Sequence, residues 1–205
     1  MKGMGKTVFN VILLGDPASG KATQAARLAA KYHLYDFDMG REVRKPAARR
    51  RHDYARTTGA GHLTPTAVVR DILRRVIAAV PVRQGILFDG HPKMIGEAKL
   101  VARELAARER SDPFVIYLHI PLDEVMRRAE KRRVRVRGKL VERDDDRERA
   151  IRNRERYYRQ QVSRVVKFFR ARYPFKTISG MGSRALVWKR IDAAVRAHIK
   201  RASSR

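Results

Sequence analysis

The 205-residue chain has no cysteine, which excludes disulfides and thiolate metal sites, a cysteine-built zinc lid among them, and suits a reducing compartment. It also lacks any apolar run near the ~20 residues that cross a bilayer. Lys2 and Lys6 stand ahead of an apolar stretch in the manner of a signal peptide, but Asn10 interrupts it. These features predict a cytoplasmic protein with no membrane association. Low-complexity linkers and internal repeats are missing as well, and the length accommodates one buried core carrying small insertions. Carboxylates are scarce: 48 Lys plus Arg face 21 Asp plus Glu, a formal charge of +27. Nucleotide binding needs only a handful of those cations. The excess is compatible with weak electrostatic association with nucleic acid, although as a sequence it is spread along the chain.

What is present begins with Gly15-Asp-Pro-Ala-Ser-Gly-Lys-Ala-Thr-Gln24. It follows the apolar run Val8 to Leu14 and precedes the helix-like Ala25 to Lys31, so a strand, a glycine-bounded turn and a helix come in order. That is the setting of a phosphate-binding loop. Gly15 and Gly20 let backbone N–H groups converge on phosphate oxygens, the helix start adds its positive end, and Lys21 reaches the terminal phosphates. Ala22 occupies the slot where the general pattern has a magnesium-binding Ser or Thr; the hydroxyl comes one residue later, at Thr23.

Further apolar runs, Leu34 to Phe37, Gly85 to Phe88, Phe114 to Ile120 and Phe175 to Ile178, have the length of buried parallel strands. Helical stripes lie between them: Ala98, Val101, Leu105 and Ala106 in 97–110; Ile151, Tyr158, Val162, Val165 and Phe169 in 146–173; and Ala185, Trp188, Ile191, Val195 and Ile199 in 184–199. The alternation predicts an α/β fold, a doubly wound parallel sheet of five strands with ligands at their carboxyl ends. One domain is expected over 1–205, with inserts at 38–65 and 131–146. The six histidines show no metal-ligand spacing. Ile86-Leu-Phe-Asp89-Gly90 ends a strand in a carboxylate, which in a phosphate-loop fold lands beside the nucleotide's magnesium and binds it through water.

The loop resembles that of the adenylate kinase family, G-x-P-x-x-G-K-G-T-Q, with Ala18 and Ala22 where the family usually has glycine. The likeness continues in order from Val8 to about Ile199. Gly85 to Ala98 resembles G-x-x-x-D-G-F-P-R-T-x-x-Q-A, with His91 at the phenylalanine, Lys93 at the phosphate-binding arginine and Glu97 at the adenine-reading glutamine. Gly40 to Arg44 resembles T-G-D-x-x-R, with Met39 and Arg41 replacing threonine and aspartate; Gly61 to Pro65 resembles the turn that closes the monophosphate pocket. Ile120 to Arg128, Arg132, Arg143 to Asp146 and Arg154 resemble the remaining arginine motifs.

The resemblance implies a phosphate-loop kinase with a monophosphate-binding flap at 38–65 and a short lid at 131–146. It implies ATP contacts from Gly15, Ala18, Ser19, Gly20, Lys21, Ala22, Thr23 and Arg132. The monophosphate would meet Met39, Gly40, Arg44, His62, Leu63, Thr64, Gly90, His91, Pro92, Lys93, Glu97, Arg143 and Arg154, and catalysis would rest on Lys21, Arg128, Arg132, Arg143 and Arg154. Magnesium, delivered as Mg-ATP, would sit by Thr23 and Asp89, and the chain would be a monomer. Between Arg132 and Arg143 there is room only for a small hairpin. The set makes physical sense, since bringing phosphates together requires neutralisation and positioning rather than a nucleophilic side chain.

The acceptor base stays open at this point. Adenine pairs with a glutamine's donor and acceptor, whereas ionised Glu97 only accepts, as guanine or cytosine donors would allow. The overall resemblance favours AMP, with GMP and CMP as alternatives. A phosphate-loop ATPase or assembly factor acting on RNA or ribosomes is the alternative from another class.

Overall fold

The structure, a computed structural model, describes residues 8–46, 64–130, 133–136, 139–142 and 160–204. The first strand, β1 (Asn10–Gly15), is buried along its whole length and leads through the glycine-bounded turn into α1 (Lys21–Tyr32). The order then runs β2 (Tyr35–Asp38), α2 (Met39–Arg44), α3 (Thr66–Ala79), β3 (Ile86–Asp89), α4 (Ile95–Ala106), β4 (Pro113–His119) and α5 (Leu122–Glu130). A two-stranded antiparallel hairpin, β5 (Arg133–Val136) and β6 (Lys139–Glu142), is followed by α6, described over 160–170, then β7 (Phe175–Ser179) and α7 (Arg184–Ser203).

Five strands form one all-parallel sheet in the order β2-β3-β1-β4-β7. Side chains alternate across it, as the period of a strand requires. Ile12, Leu14, Ile86, Phe88 and Val115 face one layer with α3, α4 and α6; Val11, Leu13, Leu87, Phe114, Ile116 and Leu118 face the other with α1 and α7. Both faces are therefore covered, and the strands read as continuous apolar runs. After β1 the chain builds one side of the sheet and then crosses to the other at β4, so the switch point opens at the carboxyl end of β1.

Asn10, which interrupts the first apolar run, is 1% exposed and fully used. Its amide donates to Ser111 O at 2.7 Å and its carbonyl accepts from Ile86 N–H at 2.9 Å, tying β1 to the start of β3 and the approach to β4.

Three local expectations need correction. Helix α4 ends at Ala106 rather than Arg110, in a turn where Glu109 adopts φ +52°, so Ala106 is exposed and Leu100 is buried instead. On α7 the buried row is Val187, Ile191 and Val195, and Ala185 is exposed, because the helix starts on a Ser183 cap that turns Ala185 outward. Helix α6 stops at 170, before Tyr173; Ile151 and Tyr158 lie outside the described residues.

Candidate active site

The turn after β1 is built for close backbone approach. At Gly15 a Cβ would fall 2.5 Å from Leu118 O, so only glycine lets the end of β1 lie against β4. Ala18 (φ +57°) and Gly20 (φ +88°) both take the left-handed conformation, which turns the chain so that the amino end of α1 opens toward the crevice. Ala18 does so despite its methyl, at a cost of about 1–2 kcal/mol. Lys21, the first residue of α1, donates from Nζ to Gly15 O (2.6 Å) and Asp16 O (2.7 Å), which places its ammonium inside the arch of the loop. Ser19 is buried, Ala22 is exposed, and Thr23 lies in the first turn of α1.

Two side chains outside the sequence motif hold this loop. Asp16 accepts from Tyr117 Oη through Oδ1 at 2.5 Å and from Ile120 N–H through Oδ2 at 2.9 Å, and His119 Nδ1 lies 2.9 Å from the same Oδ2. Arg128 on α5 donates to Ala18 O (3.4 Å) and Gly180 O (3.0 Å), joining the loop to the segment after β7. Glu124 orients it at 2.5 Å, and the guanidinium hydrogen bonds of Arg127 and Arg128 hold that carboxyl down to about 2. Asp16, Tyr117 and His119 were not singled out from sequence; the only signal was Asp16's place directly after the first loop glycine.

A concentration of negative charge sits beside the loop. The parallel register sets Asp89 of β3 opposite Leu13 of β1 and Asp38 of β2. Burial, then the charges of Asp38 and Asp36, push the Asp89 carboxyl up to about 6, opposed by Lys21 and Arg41. Arg41 pairs with Asp36 at 3.1 Å, while Asp38 caps α2 by accepting from Arg41 N–H at 2.6 Å. Gly90 (φ +62°) follows Asp89, and a Cβ there would lie 3.7 Å from Lys21 Cε, so this turn and the phosphate loop face each other.

On the other side of the crevice, α2 carries Met39, packed against the core, and Gly40, over which the Arg44 guanidinium folds: a Cβ on Gly40 would be 3.2 Å from Arg44 Nη1. Thr64 is half-buried just before α3. The β3–α4 turn contains a cis His91–Pro92 peptide, with both residues buried and Lys93 exposed. His91 is 3% exposed, edge-on to Phe37, and kept neutral by burial and by Lys93, which lower its pKa to about 3. Glu97 turns back to accept from Lys93 N–H (2.9 Å) and Met94 N–H (3.1 Å); burial raises its pKa, against those two hydrogen bonds. The structure thus gathers Gly15 to Thr23, Asp89 to Lys93, Met39 to Arg44 and Arg128 at the carboxyl end of one sheet. His62, Leu63, Arg132, Arg143 and Arg154 lie outside the described residues.

A sheet of this order with a lysine-bearing phosphate loop after its central strand defines a phosphate-loop kinase fold. The family model for adenylate kinase matches residues 13–173. Similar proteins include the adenylate kinases of Bacteroides thetaiotaomicron (29% identical over 192 residues, 92% of this chain and 98% of that protein), Archaeoglobus fulgidus (26% over 213 residues, 90% and 97%) and Thermus thermophilus (30% over 188 residues, 90% and 96%). The chain belongs to the adenylate kinase family, and as such is a nucleoside monophosphate kinase, a nucleotide-binding phosphotransferase of nucleotide biosynthesis.

Proposed function

We propose that the protein transfers the γ-phosphoryl group of Mg-ATP to AMP, giving two ADP. The observation that carries this reading is the facing of two turns: the Lys21-bearing loop that would cradle the donor phosphates, and the Asp89–Lys93 turn that would receive the acceptor. Lys21 exchanges its two carbonyl contacts for phosphate oxygens as the triphosphate arrives. Arg128 keeps the loop docked on the segment after β7. Arg44 and Lys93 meet the acceptor phosphate, with Arg132, Arg143 and Arg154 closing on the transferred group from the lid side. Neutralising charge that accumulates between two nucleotides supplies the rate enhancement, and closure of the flap (38–65) and the lid (131–146) excludes water, preventing loss of the phosphoryl group to hydrolysis.

Magnesium comes with ATP. Thr23 and Asp89 would hold it, Asp89 through water. The fit is supported by the carboxylates themselves: Asp89 is raised to about 6 by burial and by Asp38 and Asp36, a build-up of negative charge that a divalent cation relieves. Held by those residues, the ion would supply positive charge to offset the phosphate oxygens.

For the acceptor, overall resemblance supports AMP. Glu97 favours a second reading, GMP or CMP, because its carboxylate only accepts and one of its oxygens is already held by Lys93 and Met94. The protein acts in this reading as a cytoplasmic monomer. Diphosphate formation with AMP, GMP, CMP, UMP and dTMP in turn tests both. Turnover with AMP foremost supports the first, turnover with GMP or CMP the second, and acceptor-independent ATP hydrolysis contradicts both.

A further inference from the structure

The carboxy-terminal part of the chain carries Lys and Arg at about the density of the whole but almost no carboxylate, so its net charge is the more positive. Residues 160–204 carry eleven Lys or Arg and one carboxylate, Asp192, against 48 to 21 for the whole chain. Ten of the eleven are exposed and Arg190 is half-buried. Asp192 is itself taken up by Lys31 (2.6 Å), Arg196 (3.2 Å) and the Tyr32 hydroxyl (2.8 Å), so it offsets none of the others.

These cations flank β7, the edge strand of the sheet, from both sides. On the α6 side, the Arg170 guanidinium lies over Phe175 at 4.8 Å and that of Arg172 over Phe168 at 4.5 Å. On the other side a groove of about 520 Å³ runs between β7 and one face of α7. Its rim holds Lys176, Arg190 and Arg201, and its floor is small or aromatic: Ala194, Ala197, and His198 stacked on Phe114 at 4.5 Å. Arg190 and Arg201 are eleven residues apart, about 16 Å along the helix. None of these residues belongs to the nucleotide site.

The geometry points to a docking groove for single-stranded nucleic acid along β7 and α7. Cations spaced along a rim suit successive phosphates of an extended polyanion, and an aromatic, small-residue floor admits single bases.

The test is fluorescence anisotropy of the full-length protein with a 5′-labelled 20-nucleotide single-stranded RNA in saturating Mg-ATP, titrated at several salt concentrations. Lys176→Glu/Arg201→Glu should weaken binding tenfold or more and lower the slope of log affinity against log salt by about 1.4, at roughly 0.7 per phosphate contact. The control Arg83→Glu/Lys99→Glu, with the same change of net charge at exposed positions elsewhere, should shift affinity less than twofold. Both variants should keep wild-type kinase activity, which reports their folding. Equal losses in the two variants, no RNA binding at low salt, or binding to phosphatidylserine vesicles in place of RNA would each overturn the proposal.

Discussion

The Glu97 carboxylate accepts hydrogen bonds from the backbone N–H of Lys93, at 2.9 Å, and of its neighbour Met94, both through the same oxygen. The residue aligned with the family's base-reading glutamine is thus also the cap of α4. Glu97→Gln keeps an amide oxygen for the cap and adds a donor for adenine N1. It should raise kcat/KM for AMP relative to GMP and CMP by about tenfold, the scale of one hydrogen bond to the base. An unchanged acceptor profile would assign Glu97 to capping alone.

The acid limb of activity should follow Asp89. Its folded-state pKa is raised to about 6 by burial, then by Asp38 and Asp36, so the ionised form suited to magnesium is lost as pH falls through that value. Asp38→Asn removes one of those negative charges yet retains an oxygen for Arg41 N–H. The acid limb of kcat/KM for Mg-ATP should then move to lower pH relative to wild type, because the Asp89 pKa drops. Comparison at matched pH cancels the substrate's own titration, and superimposable profiles would dissociate Asp89 from ATP binding.

Arg128 should matter through its fork. Bridging Ala18 O and Gly180 O requires two nitrogens at fixed spacing, so Arg128→Lys retains the charge but not the bridge. Both Arg128→Lys and Arg128→Ala should lower kcat by roughly 10- to 100-fold, the scale of a lost positioning contact. If lysine restored full activity, charge rather than loop docking would be the role.

Asn10→Ala tests the sheet apart from chemistry. It strands the buried Ile86 N–H, at a cost of about 1–3 kcal/mol. For a chain of this size that corresponds to a fall in Tm of roughly 2–12 °C by calorimetry, with kcat at 25 °C unchanged. A Tm within 1 °C of wild type would show that the amide contributes little.

Much of the framework was legible from local pattern. The phosphate loop, all five sheet strands to within a residue or two, and the stripes Val162–Val165–Phe169 and Ile191–Val195 are written in short-range periodicity. Element ends were less so: the turn at Ala107–Glu109 carries no Gly or Pro to mark it, and the Ala185 error follows from a cap residue that resets the helical phase. The Asp16–Tyr117–His119 cluster and the Asp36–Asp38–Asp89 charge build-up were hidden, because they exist only once the β1–β4 and β2–β3 registers set distant residues side by side. The same holds for the basic groove, whose residues come from an edge strand and a helix that only the fold brings together.

The most direct test of phosphoryl transfer between two nucleotides is diphosphate formation by the purified protein with Mg-ATP and each nucleoside monophosphate, beside ATP alone and a Lys21→Met variant. Acceptor-dependent turnover, greatest with AMP and reduced at least a thousandfold by loss of the Lys21 ammonium, is the predicted result. ATP hydrolysis that proceeds equally without any monophosphate would contradict it.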